Sequence, residues 1–279
     1  MTGSKGDRMQ RRRFIQAITL GTLAAQLPTL RAGEPQPDDA SIKDYLYRMR
    51  FPDDHYHQDI LTSDQDKVIL NQVCKRLKRI QRVVGYGNFN IISFDEALDL
   101  SNRYSRVGSF TPRETQLIEQ LFYEDAGIYG FSGEKTMEKL TASIDRQDVR
   151  KIPGSGHFLF RGRPTELYND IRSKVGEQVV LTSGIRGVVK QMSLFLDKAS
   201  RNEGNLSLAS RSLAPPGYSF HGTGDFDVGR NGWGSLNFTE AFAATEEFRR
   251  LTDLGYIDIR YPIDNRLGVR FEPWHIKIG

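Results

Sequence analysis

Two stretches in the carboxy-terminal part of the chain combine residue types that bind metal ions and activate water. In residues 219–229, His221 is followed by a Gly-Thr-Gly turn and then by two carboxylates, Asp225 and Asp227. Residues 272–275 read Glu-Pro-Trp-His and add another carboxylate and another imidazole. Imidazole nitrogens and carboxylate oxygens are ligands of zinc in proteins. The two stretches together therefore predict one zinc site.

The spacing within the first stretch requires a reversal of the chain. Ligands of one ion must converge to about 2 Å from it, whereas an extended chain would separate His221 from Asp227 by roughly 20 Å. Gly222 and Gly224 lie between them, and glycine supplies the backbone freedom that a tight turn needs. We therefore expect a tight turn to bring the imidazole and the carboxylate together.

These residue types predict a hydrolytic centre. With His221, Asp227 and His275 as ligands, a tetrahedral zinc ion keeps a fourth position for water, as catalytic zinc sites do. Bound zinc lowers the pKa of that water towards about 7. Glu272, three residues before His275, is then placed to act on the metal-bound water as a general base. Arg186 could hold a carbonyl oxygen or a carboxylate.

The elements that must position these residues alternate irregularly between helix and strand. An apolar strand over 178–182 leads into a corner at Arg186, and apolar residues at helical spacing predict a helix from Val188. The other segments predict strands over 157–160, 256–261 and 268–278, helices over 134–145, 164–175 and 239–254, and a long irregular loop over 203–218.

The amino-terminal half of the mature chain predicts helices. Ser63, Ser93 and Thr111 each precede an apolar helical pattern and are followed three residues later by an acid, as at capped helix starts. Helices and antiparallel strands without βαβ regularity favour the α+β class. The predicted order is a helical subdomain over 63–150, followed over 151–279 by a domain that carries the predicted zinc site, with a small mixed, mainly antiparallel sheet packed with helices.

The basic character of the chain is concentrated at its amino terminus. The formal net charge is +4, but residues 1–32 carry six basic residues and one acidic residue, which leaves −1 for the remainder. Nucleic-acid binding is therefore not expected. Three arginines at 11–13, followed by Phe-Ile and a short apolar run, predict a twin-arginine export signal over 1–32 and a periplasmic or extracytoplasmic location. The apolar run is too short to span a bilayer, and residues 33–62 predict a linker.

Residues 153–279 resemble the VanY-type zinc D-alanyl-D-alanine carboxypeptidases. Three pieces carry this resemblance: Ser-Gly-Ile-Arg over 183–186 with Gln191 five residues on, Ser219-x-His221 with a glycine and an aspartate beyond it, and Glu-Pro-Trp-His over 272–275. The resemblance implies a VanY-like fold, bound zinc and removal of a terminal D-alanine from peptidoglycan stem peptides.

The resemblance also implies a role for each matching residue. It implies Glu272 as the catalytic base and Arg186 as the group that stabilises the scissile carbonyl. The implied metal ligands are His221, Asp227 and His275, and the residues implied to lie around the substrate and the site are Ser183, Gln191 and Ser219.

One spacing departs from the family pattern and leaves alternatives open. The family usually has its metal aspartate seven residues after the first histidine, whereas Asp227 lies six residues after His221 and Val228 takes the seventh place. Asp225 therefore stays an alternative ligand. A non-catalytic cell-wall-binding module on a peptidase scaffold is the alternative function. Within the enzyme class, a peptidoglycan endopeptidase or an L,D-carboxypeptidase also stays open.

Overall fold

The computed structural model describes residues 39–257 and 259–278, so the predicted export signal over 1–32 lies outside the described residues. Residues 39–279 form one compact unit. The helices are α1 (Asp39–Arg50), α2 (Asp64–Val84), α3 (Tyr86–Phe89), α4 (Phe94–Arg103), α5 (Pro112–Tyr123), α6 (Arg163–Val175), α7 (Val188–Arg201), α8 (Leu206–Ser212) and α9 (Glu246–Asp253). The strands are β1 (Val149–Lys151), β2 (Phe158–Phe160), β3 (Val179–Ser183), β4 (Phe226–Arg230) and β5 (His275–Ile276).

The predicted helix starts are confirmed at the atomic level. The Ser63 side chain accepts a hydrogen bond from the backbone N–H of Asp66 and caps α2. Ser93 and Thr111 form full capping boxes at the starts of α4 and α5. Each cap satisfies backbone N–H groups that have no partner within the helix. No helix among the described residues has both the length and the apolar character needed to cross a membrane.

One apolar core joins the amino-terminal helices to the region that follows them. Helix α2 packs against α5 and α7. Leu77 and Ile80 of α2 lie in the same buried cluster as Phe195 and Leu196 of α7. Burial of such side chains is the main favourable term in folding. The predicted domain boundary near residue 150 stays a prediction.

A small antiparallel sheet carries the residues of interest. Its strand order is β3-β4-β5, with β4 in the centre. Val179 of β3 and Phe226 of β4 are buried in one cluster with Ile171 of α6 and Leu251 of α9. Strands β1 and β2 form a separate antiparallel pair. The predicted α+β class, with helices followed by a small antiparallel sheet packed with helices, is confirmed.

Two segments differ from the sequence prediction because of their tertiary contacts. No α-helix forms over 134–145, since the backbone N–H groups of Thr136 and Met137 both donate to the carbonyl of Gly217. The segment 203–218, expected to be an irregular loop, contains α8 instead. Asn205 caps this helix by accepting a hydrogen bond from the Leu208 N–H, as asparagine does at helix starts.

The carboxy-terminal elements are shorter than predicted. The expected helix over 239–254 is divided at Thr245, whose side chain caps α9 by accepting from the Phe248 N–H. The long strands expected over 256–261 and 268–278 reduce to β5 and one bridge between Ile259 and Ile276. Pro273 lies within the second segment and Pro262 directly follows the first, and proline lacks the N–H group that a strand ladder needs.

The described part of the predicted linker is structured. Residues 39–50 form α1, and Asp59 further along is buried against Arg211 and Asn205. The cluster of Asp and His residues over 53–57 is exposed apart from its tyrosine.

Candidate metal centre

The pairing of β4 with β5 brings together the two stretches that carry the candidate ligands. Asp227 of β4 lies directly opposite His275 of β5 in the antiparallel register. His221 lies in a short 3-10 turn, Phe220–Gly222, just before β4. Gly224 completes the reversal with a φ of 135°, a conformation that side chains with a Cβ atom rarely adopt. The turn that the two glycines predict is therefore present.

His221, Asp227 and His275 each offer one ligand atom, and these three atoms all lie within 4.8 Å of one another. The Asp227 Oδ1 atom is 3.2 Å from His221 Nε2 and 3.2 Å from His275 Nδ1. All three residues are buried. The protein thus places two imidazole nitrogens around one carboxylate oxygen.

Hydrogen bonds behind the two rings fix which nitrogen is directed at Asp227. The Nδ1 atom of His221 lies 2.8 Å from the carbonyl oxygen of Gly184, to which it can only donate. The Nε2 atom of His275 lies 3.0 Å from the Asp225 carboxylate. Such partners fix the tautomer of a metal-binding histidine. His221 Nε2 and His275 Nδ1 are therefore the ring nitrogens directed towards the cluster.

Asp225 lies behind the cluster, with its oxygens already occupied. Besides His275, it accepts hydrogen bonds from Arg260 and from the backbone N–H of Ile278. Burial alone would raise the pKa of Asp225, but the hydrogen bonds from His275 and Arg260 outweigh it and lower the pKa to about 2. The geometry favours Asp227 over Asp225 as the ligand.

The charges around the cluster shift the pKa values of the two rings in opposite directions. Burial and the neighbouring Arg186 lower the pKa of His221 to about 4. Burial also acts to lower the pKa of His275, but the hydrogen bond with Asp225 and the neighbouring Asp227 carboxylate outweigh it and raise the pKa to about 9. His221 is therefore neutral at neutral pH, whereas His275 is protonated and must release a proton before its Nδ1 atom can bind a metal.

Glu272 lies beside the cluster. Its Oε2 atom is 3.6 Å from His275 Nδ1. Burial raises the pKa of Glu272 to about 7, although His275 acts in the opposite direction. A carboxyl group with a pKa near the working pH can both accept and release a proton during a reaction.

Arg186 is the cation closest to the cluster. Its Nη2 atom donates to Asp227 Oδ2 at 2.9 Å and also contacts His221 Nε2. Its Nη1 atom lies 3.4 Å from the side-chain oxygen of Gln191. Arg186 is thus held at the cluster, at the strand-to-helix corner that the sequence predicts.

The substrate-contacting residues implied by the resemblance divide into two groups. Ser183 and Ser219 line a cavity of about 530 Å³ that also exposes Glu272 and the three candidate ligands. Gln191 is buried behind Arg186 and bonds to the backbone carbonyl of Ala214. Its position supports the orientation of Arg186 rather than direct contact with a substrate.

Several residues at the site have no signal in the sequence analysis. Arg260 binds Asp225 and Tyr261 packs its ring 5.2 Å from that of His275, although both belong to a segment predicted as an ordinary strand. Lys190 and Arg270 line the cavity. A helical projection from Val188 could have found Lys190, because it lies one turn after Arg186.

The donor set fits a zinc ion. Asp227 Oδ1 and His275 Nδ1 are buried, and neither has a hydrogen-bond partner among the described residues. Buried polar atoms without partners are rare in native proteins and call for an unseen ion or water. Two imidazole nitrogens and one carboxylate oxygen are also the set found at catalytic zinc sites.

The arrangement suits hydrolysis, because a carboxyl group with a near-neutral pKa lies beside three potential metal ligands on the wall of a cavity.

Residues 164–278 match the family model VanY, described as D-alanyl-D-alanine carboxypeptidase. The resemblance drawn from the sequence is thereby confirmed over less than half of the chain. The match supports a peptidase, and hence a hydrolase, in this region. A search of curated proteins gave no match.

Two solved structures are similar to part of the chain. One is a mutant of the vancomycin-resistance D,D-pentapeptidase VanY from a VanB-type resistance cassette, in complex with Zn(II); it has 22% identity and a TM-score of 0.39, over 54% of this chain and 89% of that chain. The other is VanYB in complex with D-alanine-D-alanine, with 22% identity and a TM-score of 0.40, over 54% of this chain and 86% of that chain.

Proposed function

We propose that this protein is a zinc-dependent D-alanyl-D-alanine carboxypeptidase that removes a terminal D-alanine from peptidoglycan stem peptides. The observation that carries the proposal is the convergence of His221, Asp227 and His275 beside Glu272, inside the segment that matches the VanY family. Its substrate lies outside the cytoplasm, in agreement with the twin-arginine export that residues 1–32 predict.

The three candidate ligands would hold the zinc ion through His221 Nε2, His275 Nδ1 and an Asp227 carboxylate oxygen. When bound, zinc polarises a carbonyl group and makes water more acidic. Asp225 and the Gly184 carbonyl hold the two imidazole rings in the tautomers that leave these nitrogens free.

Glu272 and Arg186 supply the rest of the chemistry. The Glu272 carboxylate takes a proton from the attacking water and gives it to the nitrogen of the leaving D-alanine, which its pKa of about 7 allows. The Arg186 guanidinium, held at the cluster through Asp227, stabilises negative charge that develops on the scissile carbonyl oxygen.

The test uses the purified mature protein, zinc and a synthetic peptide that ends in D-alanyl-D-alanine. Glu272→Gln keeps the hydrogen-bonding shape of the side chain but cannot accept a proton, so we expect release of D-alanine to fall by about 10²–10⁴-fold. Zinc content should stay at one ion per chain because Glu272 is not a ligand. His275→Ala should lose both zinc and activity.

Glu240→Gln is the matched control, because Glu240 is exposed and does not line the cavity. It should retain wild-type activity and zinc. Activity of Glu272→Gln within a few-fold of the wild type would reject the mechanism.

Mass spectrometry of digested muropeptides separates the enzyme alternatives, since loss of one terminal D-alanine differs in mass from cleavage of a cross-link or of an L,D bond. A protein that binds wall peptides but cleaves none would be the non-catalytic module instead.

A further inference from the structure

One face of α7 lines the cavity and carries a row of cations that the proposed mechanism does not use. Residues 190, 194, 198 and 201 all line the cavity, and this spacing places them on one face of a helix. Three of the four are basic: Lys190, Lys198 and Arg201. The row begins one turn after Arg186 and extends for about 16 Å along the helix axis.

This row is longer than the single residue that a carboxypeptidase releases from its substrate. A single terminal residue spans about 3.3 Å when extended, whereas 16 Å accommodates about five residues. The row therefore has room for the part of the peptide on the amino-terminal side of the scissile bond.

Lys190 differs from the other two cations of the row because it has no acidic partner. Lys198 pairs with Asp53, and Arg201 pairs with Asp197. Within the described residues, Lys190 has neither an ion pair nor a hydrogen bond, although it is half-buried. Burial and the nearby Arg186 lower the pKa of Lys190 to about 8. An anion beside Lys190 would replace the water that burial has removed.

The cavity as a whole has an excess of positive charge. Its only carboxylates among the described residues are Asp227 and Glu272, both at the metal cluster, whereas five basic side chains line it. They are Arg186, Lys190, Lys198, Arg201 and Arg270. Such a cavity attracts anions and disfavours basic peptides.

We infer that the cationic face of α7, through Lys190, binds an acidic side chain that the peptide substrate carries on the amino-terminal side of the scissile bond. Lys190 is thus a specificity-determining residue, and the preferred substrates are acidic peptides. This inference rests on the proposed peptidase function.

The experiment compares a series of peptides that all end in D-alanyl-D-alanine. Each peptide carries a single glutamate at one of the four positions that precede this D-alanyl-D-alanine end. Each has a glutamine counterpart at the same position. The wild type should prefer the glutamate peptide at one or more positions. Lys190→Gln should reduce that preference in kcat/KM about tenfold, mainly through KM, because a hydrogen bond between charged groups is lost. Lys190→Arg should preserve the preference.

Lys151→Gln is the charge-matched control, because Lys151 is exposed at the end of β1 and lies outside the cavity. Its glutamate preference should equal that of the wild type. Thermal unfolding should show that each variant is folded. The inference is overturned if Lys190→Gln leaves the glutamate preference unchanged. It is also overturned if Lys190→Gln lowers kcat/KM equally for both members of every pair, because the loss then comes from a group that both peptides share, such as the terminal carboxylate.

The two proposals fail in different ways. If the wild type cleaves none of the peptides, the proposed function fails. Calorimetric binding of the same glutamate and glutamine pairs then decides the inference, since binding does not require cleavage. Equal affinity for both members of every pair would refute it.

Discussion

Asp225 and Asp227 lie two positions apart, yet their carboxylates have different partners. Asp227 is 3.2 Å from both candidate imidazole ligands, and its Oδ1 atom has no hydrogen-bond partner among the described residues. Asp225 is bonded to His275 Nε2 and to Arg260. One carboxylate is therefore available to a metal, while the other orients a histidine.

Replacement of Asp225 should weaken zinc binding without removal of a ligand. In Asp225→Asn the charge that holds the His275 ring is lost, so the ring is less well oriented and less basic. We expect the affinity for zinc to fall by about 10–100-fold, the usual effect of losing such a partner. Competition with a zinc-binding dye measures the affinity.

The matched control for this variant is Asp253→Asn, an exposed aspartate on α9 that pairs with Arg249. It should leave zinc affinity unchanged. Asp227→Asn should reduce affinity more than Asp225→Asn. A larger loss of affinity in Asp225→Asn than in Asp227→Asn would show that Asp225, rather than Asp227, is the metal ligand.

The sequence predicts the residues of the metal centre better than it predicts the residues that orient them. His221, Asp227, Glu272 and His275 could be predicted because each belongs to a short pattern of chemically distinctive residues. Arg260 could not, since an arginine in a segment of alternating polarity is typical of any exposed strand. Its function depends on the contact with Asp225, which only the tertiary structure creates.

At the scale of elements, the corner between β3 and α7 positions both Arg186 and the first histidine. The N–H of Ile185 donates to the Phe158 carbonyl, while the carbonyl of Gly184 accepts from His221. A Cβ atom at Gly184 would lie 2.1 Å from the Phe158 oxygen. Only glycine allows this close approach of two backbone segments.

Gly184→Ala should therefore damage stability and the site together. The added methyl group collides with backbone rather than with a flexible side chain, so β2 and the corner must separate. We expect the free energy of unfolding to fall by about 2 kcal/mol or more. Urea denaturation measures this loss, and zinc affinity should fall in parallel because His221 loses its support.

Gly127→Ala provides the comparison for this glycine variant. Gly127 is exposed, and the three atoms nearest to a Cβ atom there all belong to the side chain of Asp125. We expect it to change the free energy of unfolding by less than about 1 kcal/mol. Equal losses for both variants would mean that the contact at Gly184 has no special structural role.

Helix starts could be predicted from the sequence more reliably than the extent of the elements. Ser63, Ser93 and Thr111 act within a single turn, so their hydrogen bonds depend on neighbouring residues alone. The break at Thr245 also has a local cause, but threonine within an apolar pattern does not by itself indicate a cap. The absence of a helix over 134–145 depends on Gly217, some eighty positions away, and no local pattern contains that contact.

At the scale of the whole molecule, a buried ion pair ties the segment after α1 to α8. Asp59 accepts two hydrogen bonds from Arg211, at 2.6 and 3.1 Å, and one from Asn205. The Asp59 and Arg211 side chains are only 2% and 5% exposed. The contact spans about 150 positions in sequence, so it joins the segment after α1 to the part of the chain that carries the candidate metal centre.

Asp59→Asn should destabilise the protein as a whole. The substitution leaves the Arg211 guanidinium buried without a counter-charge, which costs about 3 kcal/mol. Chemical denaturation at pH 7 measures the change in the free energy of unfolding. Asp54→Asn is the matched control, since Asp54 is a nearby exposed aspartate whose backbone carbonyl, rather than its side chain, contacts Arg211. Its stability should match that of the wild type.

The effect of Asp59→Asn should also depend on pH. Burial acts to raise the pKa of Asp59, but the hydrogen bonds from Arg211 and Asn205 outweigh it, so the pKa in the folded protein lies below the ordinary value of 3.8. A carboxyl group of this kind stabilises the folded state fully above its unfolded-state pKa, and that contribution is lost as the pH falls through the folded-state pKa. The difference in free energy of unfolding between the wild type and Asp59→Asn should therefore be constant above about pH 5 and shrink below it. A difference that grew as the pH fell would mean that Asp59 is protonated in the folded protein and that the charge of this pair does not hold the two segments together.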